Sequence, residues 1–246
     1  PVQLLGRALA EGYVFQGQLS QHSGAARGEP SGHLPPTAFV SFLQNHDQTG
    51  NRALGERLSA LAAAPRLDAL YACLLLSPHI PMLFMGEEFA ASAPFLYFCD
   101  FDGALAQAVS EGRRNEFRHF AAFVDPAARA RIPDPNAAST HAQCTLAWAE
   151  RDASPHRERL ALVRSLLALR REHLVPRLAG PMQGGRSLGQ GERLHVQWRL
   201  ADGTLWEIAA QLGDAPCALQ AAPGARVVHA SHVQPSGWSV LVTHGR

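Results

Sequence analysis

The chain has 246 residues, of which 46% are hydrophobic, so it is long enough for one large domain or two ordinary domains with a substantial core. Its 22 basic and 21 acidic residues give a formal net charge of +1, which indicates neither a nucleic-acid partner nor a membrane partner. The longest apolar runs fall short of the ~18 residues that a membrane span needs. The four cysteines are scattered without a CxxC pair and the histidines show no metal-ligand spacing, so we expect a cytoplasmic protein with reduced thiols, no metal and no cofactor.

The first third of the chain predicts a helix, a loop, and two strands separated by helices. Apolar spacing predicts a helix that ends at Gly12, and the Gly- and Pro-rich residues 13–36 predict a long loop. The runs AFVSFL (38–43) and IPMLFM (80–85) are nearly continuous in apolar residues, as is typical of parallel strands covered on both faces. Between them, RALGERLSALAA and PRLDALYACLLLS predict helices. This βαβ order predicts an α/β fold with a parallel sheet.

The sequence pattern changes from helical to strand-like beyond Pro176. Before that point we predict a helix over 104–123 and an amphipathic helix over 156–173, whose arginines we place on a solvated outer face rather than on nucleic acid. After it, short alternating segments separated by Gly, Pro and Asp turns predict an antiparallel β-sandwich. The expected domains are therefore residues 1–175 and 176–246.

Four consecutive polar side chains follow the first predicted strand: Asn45, His46, Asp47 and Gln48. Glu87 and Glu88 follow the second strand, and the carboxyl ends of parallel strands are where α/β proteins place their ligands. The residues alone leave two interpretations of Asp47 open, because it could cap the next helix or take part in catalysis. The dense set of hydrogen-bonding groups suits a hydroxyl-rich ligand such as a sugar.

The string FLQNHD resembles the strand-end motif of the α-amylase superfamily of glycoside hydrolases. The longer strings FLQNHDQTGNRALGERL, SPHIPMLFMGEEFAASAPFLYFCDF and EGRRNEF are similar to the maltooligosyltrehalose trehalohydrolase family within it. Glycogen-branching enzymes are near relatives, but their pattern has Ser and Glu around the His-Asp pair. The resemblance implies the C-terminal part of a (β/α)8 barrel followed by a small antiparallel β-sandwich domain, with Asp47 after the seventh barrel strand and Glu87 after the eighth.

The same resemblance implies an enzyme, a retaining glycosidase that cleaves the α-1,4 bond next to the terminal trehalose unit of a maltooligosyl trehalose or a related α-glucan. Asp47 would stabilise the oxocarbenium-like transition state and His46 would bind the sugar, with Asn45, Gln48 and Glu87 in support. A fixed carboxylate is an effective partner for the positive charge that develops on the sugar.

Further cleft residues are predicted with their alternatives open. Four aromatic residues of the loop after Glu88 could stack on sugar rings, or could pack the top of the barrel: Phe95, Tyr97, Phe98 and Phe101. Arg113 and Arg114 could pair with Asp100 or Asp102, or could lie on a solvated helix face.

A retaining site also needs a nucleophile and a general acid, which we expect outside this chain. Ahead of Asp47 the acidic residues are Glu11 and Glu29, and neither follows an apolar strand. A self-sufficient pair of Asp47 and Glu87 is the disfavoured alternative. Because the chain begins at Pro1 rather than Met, we expect the rest of the barrel on an N-terminal segment and expect the isolated chain to be inactive. The rival hypothesis is a catalytically incomplete module that binds glucan or a partner.

Overall fold

The computed structural model describes residues 1–231 and 237–245. Its helices are α1 (Val2–Glu11), α2 (His46–Gly50), α3 (Leu58–Leu61), α4 (Ala64–Leu75), α5 (Gly103–Glu116), α6 (Pro126–Ala130), α7 (Ala138–Gln143) and α8 (His156–Leu169). Its strands are β1 (Gln18–Leu19), β2 (Ala26–Arg27), β3 (Val40–Ser41), β4 (Ile80–Pro81), β5 (Arg186–Ser187), β6 (Arg193–Arg199), β7 (Leu205–Gln211), β8 (Arg226–Ala230) and β9 (Ser239–Gly245). Short 3-10 turns and one π-type turn, Arg170–Leu174, connect several of these elements.

The chain divides into two compact units that interleave along the sequence. The first unit comprises Pro1–Leu43, Ala64–Met82 and Ala161–Arg246, and the second comprises Gln44–Ala63 and Leu83–Leu160. The predicted division into 1–175 and 176–246 follows chain order instead, and its assignment to barrel and sandwich stays a prediction.

Strands β3 and β4 of the first unit pair in parallel, with Val40 opposite Ile80 and Ser41 opposite Pro81. The predicted parallel pairing is therefore confirmed. The prediction that these strands are covered on both faces is wrong, since Val40 is 56% exposed and Ile80 is 48% exposed. Two residues per strand form too small a sheet to bury its own apolar side chains, so they reach the surface.

Helices α1, α4 and α8 lie where helices are predicted, whereas α5 ends at Glu116 rather than at residue 123 and one predicted helix is largely absent. Helix α1 ends before Gly12 as predicted, whereas the predicted helix over RALGERLSALAA is reduced to the four residues of α3. Gly55 has φ +63° and interrupts that segment. The arginines of the 156–173 helix do not all lie on a solvated face, because Arg159 and Arg170 are buried.

The C-terminal segment forms a five-stranded antiparallel sheet in the order β5-β6-β7-β9-β8. Alternate residues of the central strands, such as Trp198 and Trp206, are buried on one face. Helices α1 and α4 pack against the sheet, and Trp206 Nε1 donates a hydrogen bond to Leu76 O at 2.8 Å. The antiparallel strands are confirmed, but the layer that covers them in the described residues is helical rather than a second sheet.

Among the described helices, none combines the length and the apolar character that crossing a lipid bilayer requires.

Candidate functional site

Asn45 begins the helix that carries the polar run. Its backbone is extended, and its side-chain Oδ1 accepts a hydrogen bond from Gln48 N at 3.0 Å, which makes it the N-cap of α2. The alternative that Asp47 caps this helix is therefore wrong. Asn45 satisfies a backbone donor that a helix start would otherwise leave open.

His46 and Asp47 extend from the first turn of α2 into solvent. Their side chains are 69% and 71% exposed, and His46 Nε2 lies 3.4 Å from Asp47 Oδ1. Exposed polar contacts of this kind contribute little to stability. The carboxylate and the imidazole are thus accessible for contact with a ligand, which is what the predicted roles of both residues require.

The C-terminal end of α2 is held by Arg113 of α5. Its Nη2 donates to Gly50 O at 2.7 Å and to Arg52 O at 2.8 Å. The Arg113 side chain is 6% exposed, and its Nη1 pairs with Glu116 Oε2 at 3.0 Å. The predicted alternatives, pairing with Asp100 or Asp102 and a solvated position, are both wrong for Arg113.

Arg114, the next residue on α5, has a different environment. It is half-buried and lies within electrostatic reach of Asp134. The pKa of the Asp134 carboxyl is held below its ordinary value, chiefly by the hydrogen bond from Ser110 Oγ and in part by the positive charge of Arg114.

Glu87 begins a short 3-10 turn, Glu87–Phe89, after Gly86 in a left-handed conformation. The side chain is 1% exposed, and its Oε2 accepts a hydrogen bond from Phe84 N at 2.8 Å. This carboxylate therefore supports the backbone of its own loop. Its burial argues against a self-sufficient pair with the exposed Asp47, while the predicted sugar contact of Glu87 stays a prediction.

Arg57 joins the segment that follows α2 to the loop around Glu87. The buried guanidinium donates from Nε to Ala93 O at 2.6 Å and from Nη1 to Met85 O at 2.7 Å, and it lies 5.1 Å from the centre of the Phe84 ring. Gln44 links the segment before α2 to the first residue of α3, since its Oε1 accepts a hydrogen bond from Leu58 N at 3.0 Å. Sequence reasoning missed both residues.

The aromatic loop separates into packed and accessible rings. Phe95 is half-buried and makes edge-to-face contacts with Phe84 at 5.0 Å and with Phe98 at 5.9 Å between ring centres. Tyr97 is 41% exposed, and the guanidinium of Arg113 lies 5.4 Å from its ring centre. Phe95 thus has a packing role, and sugar stacking by either ring stays a prediction.

Within residues 1–231 and 237–245, no group of three or more His, Cys, Asp or Glu side chains is arranged to hold a metal ion. Cys73, Cys99, Cys144 and Cys217 are free thiols. Burial raises the pKa of the Cys73 thiol to about 12.

Known proteins share both the sequence and the fold of this chain. A family model described as "Domain of unknown function (DUF3459)" matches residues 183–242. A malto-oligosyltrehalose trehalohydrolase of Deinococcus radiodurans is 43% identical over 175 residues, which are 70% of this chain and 28% of that protein. One from Saccharolobus solfataricus is 36% identical over 162 residues, which are 65% of this chain and 26% of that protein. This chain is homologous to the malto-oligosyltrehalose trehalohydrolases.

A solved structure extends the likeness to almost the whole chain. A Salmonella typhimurium protein described as a candidate alpha amylase is 41% identical and superposes with a TM-score of 0.88, over 99% of this chain and 41% of that one. The chain therefore spans well under half of the trehalohydrolases and of the solved structure that it matches.

Proposed function

We propose that this chain supplies the transition-state-stabilising carboxylate of a glycoside hydrolase that cleaves the α-1,4 bond next to the terminal trehalose unit of maltooligosyl trehalose and releases trehalose. The observation that carries the proposal is the accessible His46–Asp47 pair on α2, 3.4 Å apart, within a chain 43% identical to a malto-oligosyltrehalose trehalohydrolase. A carboxylate fixed on a short capped helix can stabilise the cationic sugar ring without reorganising.

In this proposal each side chain of the site has its own role. Asp47 faces the sugar carbon that becomes cationic, and His46 donates a hydrogen bond to a neighbouring hydroxyl. Asn45 caps the helix and Gln48 adds a polar contact. Tyr97 offers an accessible ring to an outer glucose unit, whereas Phe95 and Glu87 shape the cleft wall from behind.

The nucleophile and the general acid belong to the length of the relatives that this chain does not span, since the matched region is 28% of the Deinococcus radiodurans protein. In this proposal β3 and β4 are the seventh and eighth strands of a (β/α)8 barrel. The exposed side chains of Val40 and Ile80 would then be covered by the remaining barrel. A cytoplasmic setting with reduced thiols belongs to the same proposal.

The test compares the complete gene product and the isolated chain with maltooligosyl trehalose as substrate. In the complete protein, Asp47→Asn should lower kcat about 10³-fold with little change in KM, because the carboxylate acts mainly in the transition state. Glu111→Gln, which removes an exposed carboxylate of α5, is the matched control and should leave kcat unchanged. Full activity of Asp47→Asn would rule out the proposed role.

The isolated chain should show no turnover. Turnover by the isolated chain that Asp47→Asn abolishes would place the other two carboxylates within residues 1–246 and would contradict that part of the proposal.

A second candidate function is glucan binding without catalysis, favoured by the exposed rings of Tyr97, Phe98 and Phe101 on one loop. Isothermal titration of the isolated chain with maltooligosaccharides tests it. Heat of binding that is lost in Tyr97→Ala, together with no turnover by the complete protein, would favour this candidate over the hydrolase.

A further inference from the structure

Arg113, in the last turn of α5, makes several contacts with backbone carbonyl groups outside its own helix. One nitrogen, Nη2, donates to two carbonyl oxygens, Gly50 O at 2.7 Å and Arg52 O at 2.8 Å. Gly50 is the last residue of α2, and carbonyl groups at a helix end have no partner within the helix. The guanidinium supplies that partner, and its positive charge lies at the negative end of the helix dipole.

Two aromatic rings lie close to this guanidinium. The centre of the Phe117 ring lies 4.7 Å from Arg113 Cζ, and the centre of the Tyr97 ring lies 5.4 Å from it. Phe117 is buried in a small core with Ala53 and Ile132, so this support is rigid. Glu116 Oε2, 3.0 Å from Arg113 Nη1, offsets the buried charge.

Helix α2 depends on such contacts for its orientation. A helix of five residues is far too short to be stable by itself. Its N-terminal end is fixed by the Asn45 cap, and its C-terminal end is fixed by Arg113. Between these two fixed ends lie His46 and Asp47, whose exposed side chains take no part in holding the helix.

We propose that Arg113 is a positioning residue, which sets the direction in which α2 presents Asp47 and His46 and holds the Tyr97 ring in register with them. The role rests on the proposed function, because it concerns the geometry of the same site. The contact of Arg113 with α2 is a hydrogen bond to the backbone carbonyl of Gly50, so its effect on the reaction is indirect. A displacement of about 1 Å at a reacting group can cost about 10²-fold in rate.

Lysine cannot replace arginine fully at this position. An ammonium group keeps the charge, but it has no second nitrogen to pair with Glu116 while the first donates to both carbonyls, and it has no planar face to offer to the two rings. Arg113→Lys should therefore preserve part of the contact, whereas Arg113→Met removes it and keeps only the apolar stem. Arg114→Gln is the matched control, since it removes the same charge one residue along α5 at a side chain that acts on Asp134.

The experiment uses the complete gene product and two independent readouts. The first is kcat and KM for maltooligosyl trehalose, and the second is amide hydrogen exchange over residues 46–52. We expect Arg113→Met to lower kcat about 10²-fold with KM little changed. The kcat of Arg113→Lys should lie between that of Arg113→Met and that of the unsubstituted protein. The kcat of Arg114→Gln should equal that of the unsubstituted protein. Exchange at 46–52 should accelerate in the same order.

Each outcome decides for or against the role of Arg113. Unchanged exchange at 46–52 in Arg113→Met overturns the proposal, whatever the activity. A loss of kcat without faster exchange also overturns it, because the effect would then not pass through α2. If Arg113→Met does not fold, Arg113→Lys decides by the same two readouts. If the unsubstituted protein hydrolyses no α-glucan, the proposed function fails, and faster exchange would still support the positioning of α2 by Arg113.

Discussion

Gly55 and Phe95 form a close backbone pair within the second unit. Phe95 N donates a hydrogen bond to Gly55 O at 2.9 Å, and a Cβ on residue 55 would lie only 2.6 Å from Phe95 O. Gly55 also has φ +63°, in the left-handed region where a side chain is strained. The junction between the segment that follows α2 and the aromatic loop therefore depends on a residue without a side chain.

Replacing Gly55 with alanine should destabilise the protein by about 2–4 kcal/mol, because the methyl group adds backbone strain and displaces the Phe95 carbonyl. Urea unfolding followed by circular dichroism measures the difference. Gly50→Ala is the control on the same aromatic residue, since its Cβ would lie 3.5 Å from the Phe95 ring in ordinary contact. That substitution should change stability by about 1 kcal/mol or less. Equal unfolding midpoints for the two variants would contradict the conclusion that position 55 requires a residue without a side chain.

Asn45 and Asp47 should differ in how much they contribute to the free energy of unfolding. Asn45→Ala removes the cap on Gln48 N and should cost about 1 kcal/mol of unfolding free energy. Asp47→Asn changes an exposed side chain and should alter stability by less than about 0.5 kcal/mol. Chemical denaturation of the two variants separates them, and an Asn45→Ala variant as stable as the unsubstituted protein would contradict the capping role of Asn45.

The pairing of strands could be predicted, because it depends on local patterns. Apolar runs separated by helices predicted the parallel pair of β3 and β4, and alternation with turn residues predicted the antiparallel C-terminal sheet. The helix expected over 52–63 is reduced to Leu58–Leu61, because Gly55 takes a positive φ to approach Phe95, 40 residues later in the chain. A periodic pattern gives no information about such a contact.

The site was predictable only where its residues are consecutive. The run from Asn45 to Gln48 could be recognised as a motif, whereas the partners of Arg57 and Arg113 could not be predicted, because their acceptors are backbone carbonyls of distant residues. Gly50 O is 63 residues from Arg113, and Ala93 O is 36 residues from Arg57. Any residue type can offer a carbonyl, so the sequence contains no complementary partner to search for. The burial of Glu87 was not predicted either, although its partner is only three residues away, because the backbone N–H of Phe84 is a group that almost every residue type offers.

Arg170 closes the buried end of α4 in the first unit. Its guanidinium donates to Leu75 O at 3.0 Å, to Ser77 O, and to His79 O at 2.7 Å, and burial lowers the pKa of Arg170 to about 10. Arg170→Met would leave these buried carbonyls without that donor and should cost about 3 kcal/mol. Arg171→Met, at the adjacent exposed position, should cost less than about 0.5 kcal/mol. Thermal or urea unfolding of both variants measures the contrast, and similar losses would show that charge alone, not the three hydrogen bonds, matters.

His79 should make the stability of the protein depend on pH. The ring is buried, its Nδ1 lies 2.7 Å from Ser41 Oγ, and the Phe39 ring centre lies 5.4 Å away. Burial is the main cause that lowers the pKa of His79 from 6.5 to about 4. The unfolded chain therefore binds a proton between pH 6.5 and 4 while the folded protein does not, so this contribution is complete above pH 6.5 and is lost as the pH falls towards 4.

The loss should amount to about 3 kcal/mol across that window and should stop below pH 4, where both states are protonated. The variant His79→Gln separates the pH dependence caused by His79 from that caused by other groups. Its amide can keep a polar contact with Ser41 and does not ionise. The difference in unfolding free energy between the unsubstituted protein and His79→Gln, measured by urea titration from pH 7.5 to 4, should shrink steadily as the pH falls. A difference that stays constant would mean that His79 is protonated as readily in the folded protein as in the unfolded chain, and that the contact with Ser41 does not exclude the charged ring.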